Sequence, residues 1–386
     1  MDFINVGVIG TGFIGLAHVE ALRRVGGVKL VAIADLDIEK ANVIAAEYDI
    51  PKVYHDWQDI LKDSGIAAIH NCTPNNLHFD LNKRILEAGK HILSEKPLSL
   101  TSAESSELIL LARKKGLVNA IDFNYRGYPL IRQARSMVES GEIGTVSLIH
   151  GHYLQDWLLY ESDYNWRLEP ELGGVSRAVA DIGSHWFDLA QFITGLKIKR
   201  VFADLTTVNK TREKPLIEVE TFKGKEKVAV DTITVPINTE DVATILIHFE
   251  NGAVGNVTIS QVSPGRKNRF WFEIDGTEKA LSWNQEEPDK LWIGHRDKPN
   301  EILIKDPSLL SESARSFAHY PGGHPEGYPD GLKNIVLKFY EFIRSGQNPV
   351  DAETDFPTFT DGHLEIKMVD AVLKSNREKC WVYLES

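Results

Sequence analysis

Cysteine is nearly missing from this chain: Cys72 and Cys380 are the only two among 386 residues. Two thiols build neither a disulfide framework nor a cysteine zinc site. Long hydrophobic runs are missing as well, and none reaches the length of a membrane span. The chain enters its first apolar run within a few residues of Met1, so no signal peptide is expected. Positive charge is in deficit. Lys and Arg total 43 against 55 Asp and Glu, a formal net charge of −12. That balance argues against nucleic acid and an anionic membrane surface as main partners, though it permits a local basic pocket. There is no internal repeat and no low-complexity tract. What remains is an ordinary globular composition, 42% hydrophobic and 25% charged, over a length that implies two domains. The expectation is a soluble protein of a reducing compartment, most simply the cytoplasm.

The most informative stretch runs from Val6 to Gly15. An apolar run, Val6-Gly7-Val8-Ile9, leads into G-x-G-x-x-G spacing at Gly10, Gly12 and Gly15, and a helical pattern follows. A second apolar run, Leu30–Ala34, ends at Asp35, twenty residues after Gly15. Strand, glycine turn, helix and distant acid together form a dinucleotide-binding fingerprint. Gly10 permits the turn, Gly12 lets pyrophosphate approach the backbone, and Gly15 lets helix and strand pack closely. Asp35 suits the ribose hydroxyls of NAD and repels the 2′-phosphate of NADP; its neighbours Leu36 and Asp37 offer no cation to offset that phosphate. The competing reading makes Asp35 a cap for the helix starting near Ile38, a role Asp37 also suits.

Through residue 122 short apolar runs (6–9, 30–34, 67–71, 91–94, 118–123) alternate with helical patterns (13–25, 38–48, 56–63, 76–88, 101–115). This alternation predicts a parallel, doubly wound sheet with ligand at the strands' carboxyl ends. Beyond residue 145 the pattern changes to strand candidates at 145–153, 199–207, 241–249, 253–262, 269–275, 278–284 and 289–294, with a helical segment near 176–194. That predicts a large antiparallel sheet. Two amphipathic helices are expected near 331–345 and 360–376, and 306–330 reads as a long loop of functional type. The fold class is therefore α/β: a Rossmann domain over 1–122, then an α+β domain over 123–386.

Three further clusters carry chemistry. Ser94-Glu95-Lys96-Pro97 ends an apolar run on the cofactor side. A lysine there can hydrogen-bond a substrate hydroxyl, or simply cap the next turn. In the second cluster Asp181 and His185 are four apart, with Asp188 beyond, so on one helix they share a face. A carboxylate orients an imidazole and raises its basicity, which suits general base work near neutral pH. The same pair could be purely structural, and no third ligand at metal-site spacing accompanies it, so no metal is expected. The third cluster comprises Phe123-Asn124-Tyr125-Arg126, Gln155-Asp156-Trp157 and Asn165-Trp166-Arg167. Amides and aromatic rings suit a polyhydroxylated ligand, and they are equally common where domains join.

Gly10–Gly15, Asp35, Thr73-Pro74-Asn75, Glu95-Lys96-Pro97 and Asp181 with His185, in this order and spacing, resemble the glucose–fructose oxidoreductase/inositol dehydrogenase (Gfo/Idh/MocA) family of sugar dehydrogenases. The resemblance covers nearly the whole chain and implies an open-faced C-terminal sheet. It implies Lys96, Asp181 and His185 as the catalytic set, with either Lys96 or His185 as the base. Cofactor contacts are implied at Gly10, Thr11, Gly12, Phe13, Ile14, Gly15, Asp35, Thr73, Pro74, Asn75, His78, Glu95, Lys96, Asn124, Trp166 and Arg167. Substrate contacts are implied at Lys96, Tyr125, Gln155, Arg167, Asp181, His185 and His324. Pro97 resembles the proline that shapes the nicotinamide pocket, often through a cis bond. The segment Gly322–Tyr328 is similar to members acting on sugars and anhydrosugars. Arg177-Ala178-Val179-Ala180 departs from the usual pattern, in which a leucine often precedes the acid. The resemblance implies an NAD-dependent dehydrogenase for a secondary hydroxyl of a sugar, anhydrosugar or cyclitol, assembled as a homodimer or homotetramer through its C-terminal sheet. Two alternatives stand beside it: a redox-assisted glycoside hydrolase or lyase that retains NAD, and a non-enzymatic NAD-sensing regulator. Regulators of this type tend to lose the lysine or the histidine, and both are present here.

Overall fold

A computed structural model describes residues 3–216 and 231–384. The chain forms two compact units: Met1–Gly127 with Tyr328–Ile366, and Tyr128–Gly327 with Lys367–Ser386. Among the described residues no helix is long and apolar enough to cross a membrane.

The first unit is built on six parallel strands, β1 (Ile4–Ile9), β2 (Val28–Ala34), β3 (Lys52–Tyr54), β4 (Ala68–Asn71), β5 (His91–Ser94) and β6 (Asn119–Ile121), in the order β3-β2-β1-β4-β5-β6. The connecting helices are α1 (Phe13–Arg23), α2 (Ile38–Glu47), α3 (Trp57–Lys62), α4 (His78–Glu87) and α5 (Ser102–Lys115). Helices cover both faces of the sheet, so the central strands are buried on successive residues rather than alternating. Local chemistry sets the helix ends. Asp37 and Asp56 cap α2 and α3, Thr101 and Glu104 form a capping box on α5, and Gly116 closes α5 at a φ of 62°. The short edge strand β3 carries no apolar run and was not expected from the sequence. Strand order reverses between β1 and β4, the point where such sheets bind ligand.

The helix Tyr328–Ser345 belongs to this unit, so a single cut at residue 122 does not describe it. Its apolar stripe (Leu332, Ile335, Val336, Phe339, Tyr340) packs with Val6, Val8, Val19 and Leu22. The sheet face beside α1 needs apolar cover that residues 1–127 do not supply, and this late helix provides it.

The second unit holds a nine-stranded sheet built from β7 (Val146–Leu154), β8 (Ile198–Thr206), β11 (Val242–Phe249), β12 (Val254–Ser260), β13 (Arg269–Gly276), β14 (Ala280–Asn284), β15 (Lys290–Gly294), β16 (Glu301–Ile304) and β17 (Val382–Tyr383). A separate ribbon pairs β9 (Thr211–Pro215) with β10 (Thr232–Pro236). The order is β16-β15-β14-β13-β7-β12-β11-β8-β17, antiparallel except for the β7–β12 pair. Alternation is visible in β13, where Phe270, Phe272 and Ile274 point inward.

A helix the sequence reading missed, Pro129–Glu139, buries Leu130, Ile131, Ala134 and Met137. Its arginines mask the apolar period, yet Arg132 stacks on Phe192 and Phe317 at 4.8 and 4.0 Å. The segment expected as a loop over 306–330 contains a one-turn helix, Glu312–Arg315, and its last residues begin the helix at Tyr328. The buried pair Lys305–Glu326, 2.7 Å apart, pins it, and Lys305 Nζ also donates to the Tyr320 and His324 carbonyls.

Candidate functional site

In the first unit three glycines form a cradle where β1 runs into α1. Gly10 turns at a φ of +90°, and a Cβ there would meet the Cys72 carbonyl oxygen at 2.6 Å. A Cβ on Gly15 would lie 2.0 Å from the Gly10 carbonyl oxygen. Gly12 differs. Its φ of −68° suits any residue, and nothing lies within 4 Å of its missing Cβ. That open space sits at the N-terminus of α1, which has no side-chain cap, where N–H groups and the helix dipole favour an anion. The fold explains Gly10 and Gly15; a ligand approaching the backbone explains Gly12, and a dinucleotide pyrophosphate fits. Gly15→Ala is therefore expected to prevent folding. Gly12→Ala should leave the melting temperature unchanged while weakening NADH binding by about tenfold or more, ~1.4 kcal/mol, in a fluorescence titration.

Asp35 stands beside this turn. Its Oδ2 accepts from Thr11 N and Oγ1 at 2.6 and 2.7 Å, and its Oδ1 from Asp37 N at 2.9 Å. The cap of α2 is Asp37, which accepts from Lys40 N at 3.0 Å. Asp35 thus braces the glycine turn, and Oδ1 retains capacity for a ribose hydroxyl.

The loop after β4 is held from beneath. Thr73 donates through N and Oγ1 to Asn71 Oδ1, Asn71 donates to Asn82 Oδ1, and Asn82 donates to Ser94 Oγ. Pro74 and Asn75 lie at its outer end. His78 sets Nδ1 2.6 Å from the Pro97 carbonyl and Nε2 2.8 Å from the Thr73 carbonyl. Burial holds its pKa below the usual value against the pull of those two carbonyls. His78 was expected as a cofactor contact; its ring is spent on clamping the β4 and β5 loops together.

The β5 loop carries half-buried Lys96, and the Lys96–Pro97 bond is cis. The Lys96 backbone N donates to Glu95 Oε2 at 3.2 Å. Glu95 is buried against His18 and Asp122. Asn124 and Tyr125 are buried, and Arg126 is paired with Asp361 at 2.8 Å.

In the second unit the expected helix over 176–194 is two elements. Asp181 lies in a π-helical turn, Val179–Gly183, and His185 opens the α-helix Ser184–Thr194. The wider turn changes the angular relation that four-residue spacing implies in an α-helix, and such turns concentrate at functional sites. Asp181 Oδ2 accepts from Gln261 Nε2 at 2.8 Å, and Oδ1 lies 3.6 Å from Arg167 Nε. His185 is buried, its ring 6.5 Å from that of Tyr153. Arg167 also stacks on Trp166 at 4.4 Å, so two residues implied by resemblance meet Asp181 or each other.

The support behind Asp181 is a buried ionic network the sequence reading missed. Arg177 donates to Gln261 Oε1, Thr239 Oγ1 and Asp241 Oδ1; Arg212 donates to the same Asp241 oxygen. Glu240 Oε1 accepts from Ser176 Oγ, Arg177 N and Val179 N, all within 2.9 Å. Burial raises the Asp241 pKa, but the Arg177 charge and hydrogen bond outweigh it and leave the net value lowered. The only sequence signal was charge where packing residues were expected: Arg177 in a helical run and Glu240-Asp241 before a strand.

Two other candidates are differently engaged. Gln155 donates to Asn268 Oδ1 and accepts from Trp157 Nε1, both at 2.8 Å, so its amide orders the loop after β7. His324 is exposed, on the segment pinned by Lys305.

Comparison with known proteins adds the following. The profile of an oxidoreductase family with NAD-binding Rossmann fold matches residues 4–123, and that of the GFO/IDH/MocA C-terminal domain matches 131–282. Levoglucosan dehydrogenase of Pseudarthrobacter phenanthrenivorans is 30% identical over 99% of this chain and 98% of its own length. Myo-inositol 2-dehydrogenase of Thermotoga maritima is 25% identical over 99% of both. A solved levoglucosan dehydrogenase in complex with NADH and L-sorbose superposes with a TM-score of 0.89 at 29% identity, covering 100% of both chains.

Proposed function

From the premise that this chain belongs to the GFO/IDH/MocA oxidoreductase family and carries its NAD-binding Rossmann fold, we propose that it oxidises a secondary hydroxyl of a sugar, anhydrosugar or cyclitol. The observation that carries this reading is the full-length likeness to levoglucosan dehydrogenase, joined to an intact cofactor cradle at Gly10, Gly12 and Gly15. NAD supplies the hydride acceptor when bound. Gly12 and the α1 N-terminus would hold its pyrophosphate, and Asp35 its ribose.

Lys96 hydrogen-bonds the reacting hydroxyl, and the one hydroxyl proton goes to a single base, the neutral Lys96 amine or His185; Asp181 is held for its part by Gln261 and Arg167. Arg167 and Trp166 offer a cation and a ring face to a sugar. A reducing compartment, the cytoplasm, is supported by the exposed free thiol of Cys380. A homodimer or homotetramer through the nine-stranded sheet is supported by exposed apolar side chains along it, Leu246, Val254 and Tyr383 among them.

The test is an initial-rate screen at the NADH absorbance band against anhydrosugars, aldoses and inositols, with NAD and NADP in parallel. The expected outcome is substrate-dependent NADH formation with at least one class, strongly favouring NAD because Asp35 opposes a 2′-phosphate. NADP preferred over NAD, or no reduction with any polyol, contradicts the reading.

A further inference from the structure

Beneath the Lys96 loop the first unit buries more ionisable groups than a dehydrogenase needs to bind its cofactor. His18 from α1, His70 from β4, Glu95 after β5, Asp122 after β6 and Tyr340 from the helix Tyr328–Ser345 form one connected cluster, and each is less than a tenth exposed. Glu95 Oε1 lies 3.0 Å from His18 Nε2, His18 Nδ1 lies 2.7 Å from His70 Nδ1, and His70 Nε2 lies 2.9 Å from the Tyr340 hydroxyl. The Asp122 carboxyl lies beside them, its Oδ2 3.8 Å from His18 Nε2, and the facing atoms of His18, Glu95 and Asp122 all fall within 4.8 Å of one another. Two buried carboxyls this close do not both ionise, so the pair holds one proton.

With Glu95 ionised and both imidazoles neutral, one proton assignment satisfies every contact. Tyr340 O–H donates to His70 Nε2, His70 Nδ1–H to His18 Nδ1, and His18 Nε2–H to Glu95. Asp122 O–H and the Lys96 backbone N–H complete the set, so every donor leads to Glu95. We propose that Glu95 and Asp122 act as a carboxylate–carboxylic acid pair with the proton on Asp122, and that the single negative charge left on Glu95 positions the Lys96 amine for its reaction. The last clause rests on the role assigned to Lys96 above.

The surroundings agree with this charge state. Burial pushes Asp122 well up, and the Glu95 charge adds to it. Burial also opposes the Glu95 charge, but the effects led by the His18 hydrogen bond prevail and lower its pKa to about 2. His70 is driven down by burial and stays neutral, and Tyr340 is driven up and keeps its proton. The other titratable groups facing the cluster are Cys72, raised by burial and by both carboxyls, and His78, lowered by burial.

The test combines spectroscopy with pH–rate profiles of the full-length enzyme. Infrared difference spectra, wild type minus Asp122→Asn, are expected to show a carboxylic-acid C=O stretch at neutral pH. Asp122→Asn still donates to Glu95, so it should keep turnover within a few-fold and leave the pH profile in place, while Asp122→Ala loses turnover. Glu95→Gln removes the negative charge that the Lys96 backbone N–H binds. Its limb for titration of the Lys96 amine should move about one pH unit or more toward acid, with folding intact by circular dichroism. A merely structural Glu95 would lower turnover without moving the limb.

No acid band, or an Asp122→Asn profile shifted as Glu95→Gln is expected to be, overturns the proposal. So does metal analysis finding one divalent cation per chain, since His18, Glu95 and Asp122 bring donor atoms within 4.8 Å of one another. Lys96→Ala with intact turnover would remove the catalytic role of Lys96, and the band would still decide where the proton sits.

Discussion

Lys96→Ala is expected to lower kcat by ~10²–10⁴-fold, the usual contribution of a positioned proton-transfer group. The loss should fall on kcat more than on NADH affinity, because the pyrophosphate cradle and Asp35 lie on other segments and their geometry is independent of this side chain. Lys96→Arg separates charge from proton transfer. A guanidinium keeps the positive charge but gives up no proton in this pH range, so it should remain nearly as impaired as alanine. Steady-state kinetics with the best substrate of the screen, paired with NADH titration of each variant, checks this. Recovery of turnover in Lys96→Arg would show that charge alone is needed.

Asp241→Asn is the second large effect, and it falls on stability. Asp241 is the shared counter-charge of Arg177 and Arg212, and all three side chains are 0% exposed. Its second oxygen accepts from Val208 N and Asn209 N, which fixes the turn after β8. Asparagine preserves the size but leaves two guanidiniums buried without a carboxylate. Removing one partner of such a group costs about 3–5 kcal/mol. Urea unfolding monitored by tryptophan fluorescence should show the loss.

The pH dependence has a definite sign. Asp241 has a lowered pKa when folded, so its stabilisation is fully present above the ordinary carboxylate range. It is lost as pH falls through the lowered folded value. Wild type should therefore lose stability on acidification through this window, and Asp241→Asn should lose less, having already forfeited the contribution. Because Arg177 also holds Gln261, which holds Asp181, the variant should lose turnover as well.

The parts of this molecule legible in its sequence are those encoded over short distances. The glycine turn is one: φ at Gly10 and close packing at Gly15 leave no other residue, so the pattern itself carries the geometry. The parallel strands announce themselves as apolar runs because both faces are covered. Asp35 was found by spacing, and that Asp37 rather than Asp35 caps α2 is visible only in the contact from Lys40 N to Asp37 Oδ1.

What stayed illegible was long-range or depended on backbone detail. Arg177 and Gln261 are 84 residues apart, and Arg177 and Asp241 are 64, so neither pairing leaves a local trace. The π-turn at Val179–Gly183 has the composition of an ordinary helix. The stripe on Tyr328–Ser345 predicts that it is buried but not which sheet it covers. His18, His70 and Asp122 were not singled out in the sequence; with Glu95 and Tyr340 they come from five separate segments of the first unit.

The most direct test of the central claim follows the hydride. The best substrate of the screen, deuterated at the carbon bearing the reacting hydroxyl, is turned over with NAD, and both products are read by mass spectrometry. The account predicts one deuterium in the NADH formed and one equivalent of the corresponding ketone. Deuterium retained in a cleaved or rearranged sugar, with no net NADH, would contradict it and indicate a redox-assisted hydrolase or lyase that retains its cofactor.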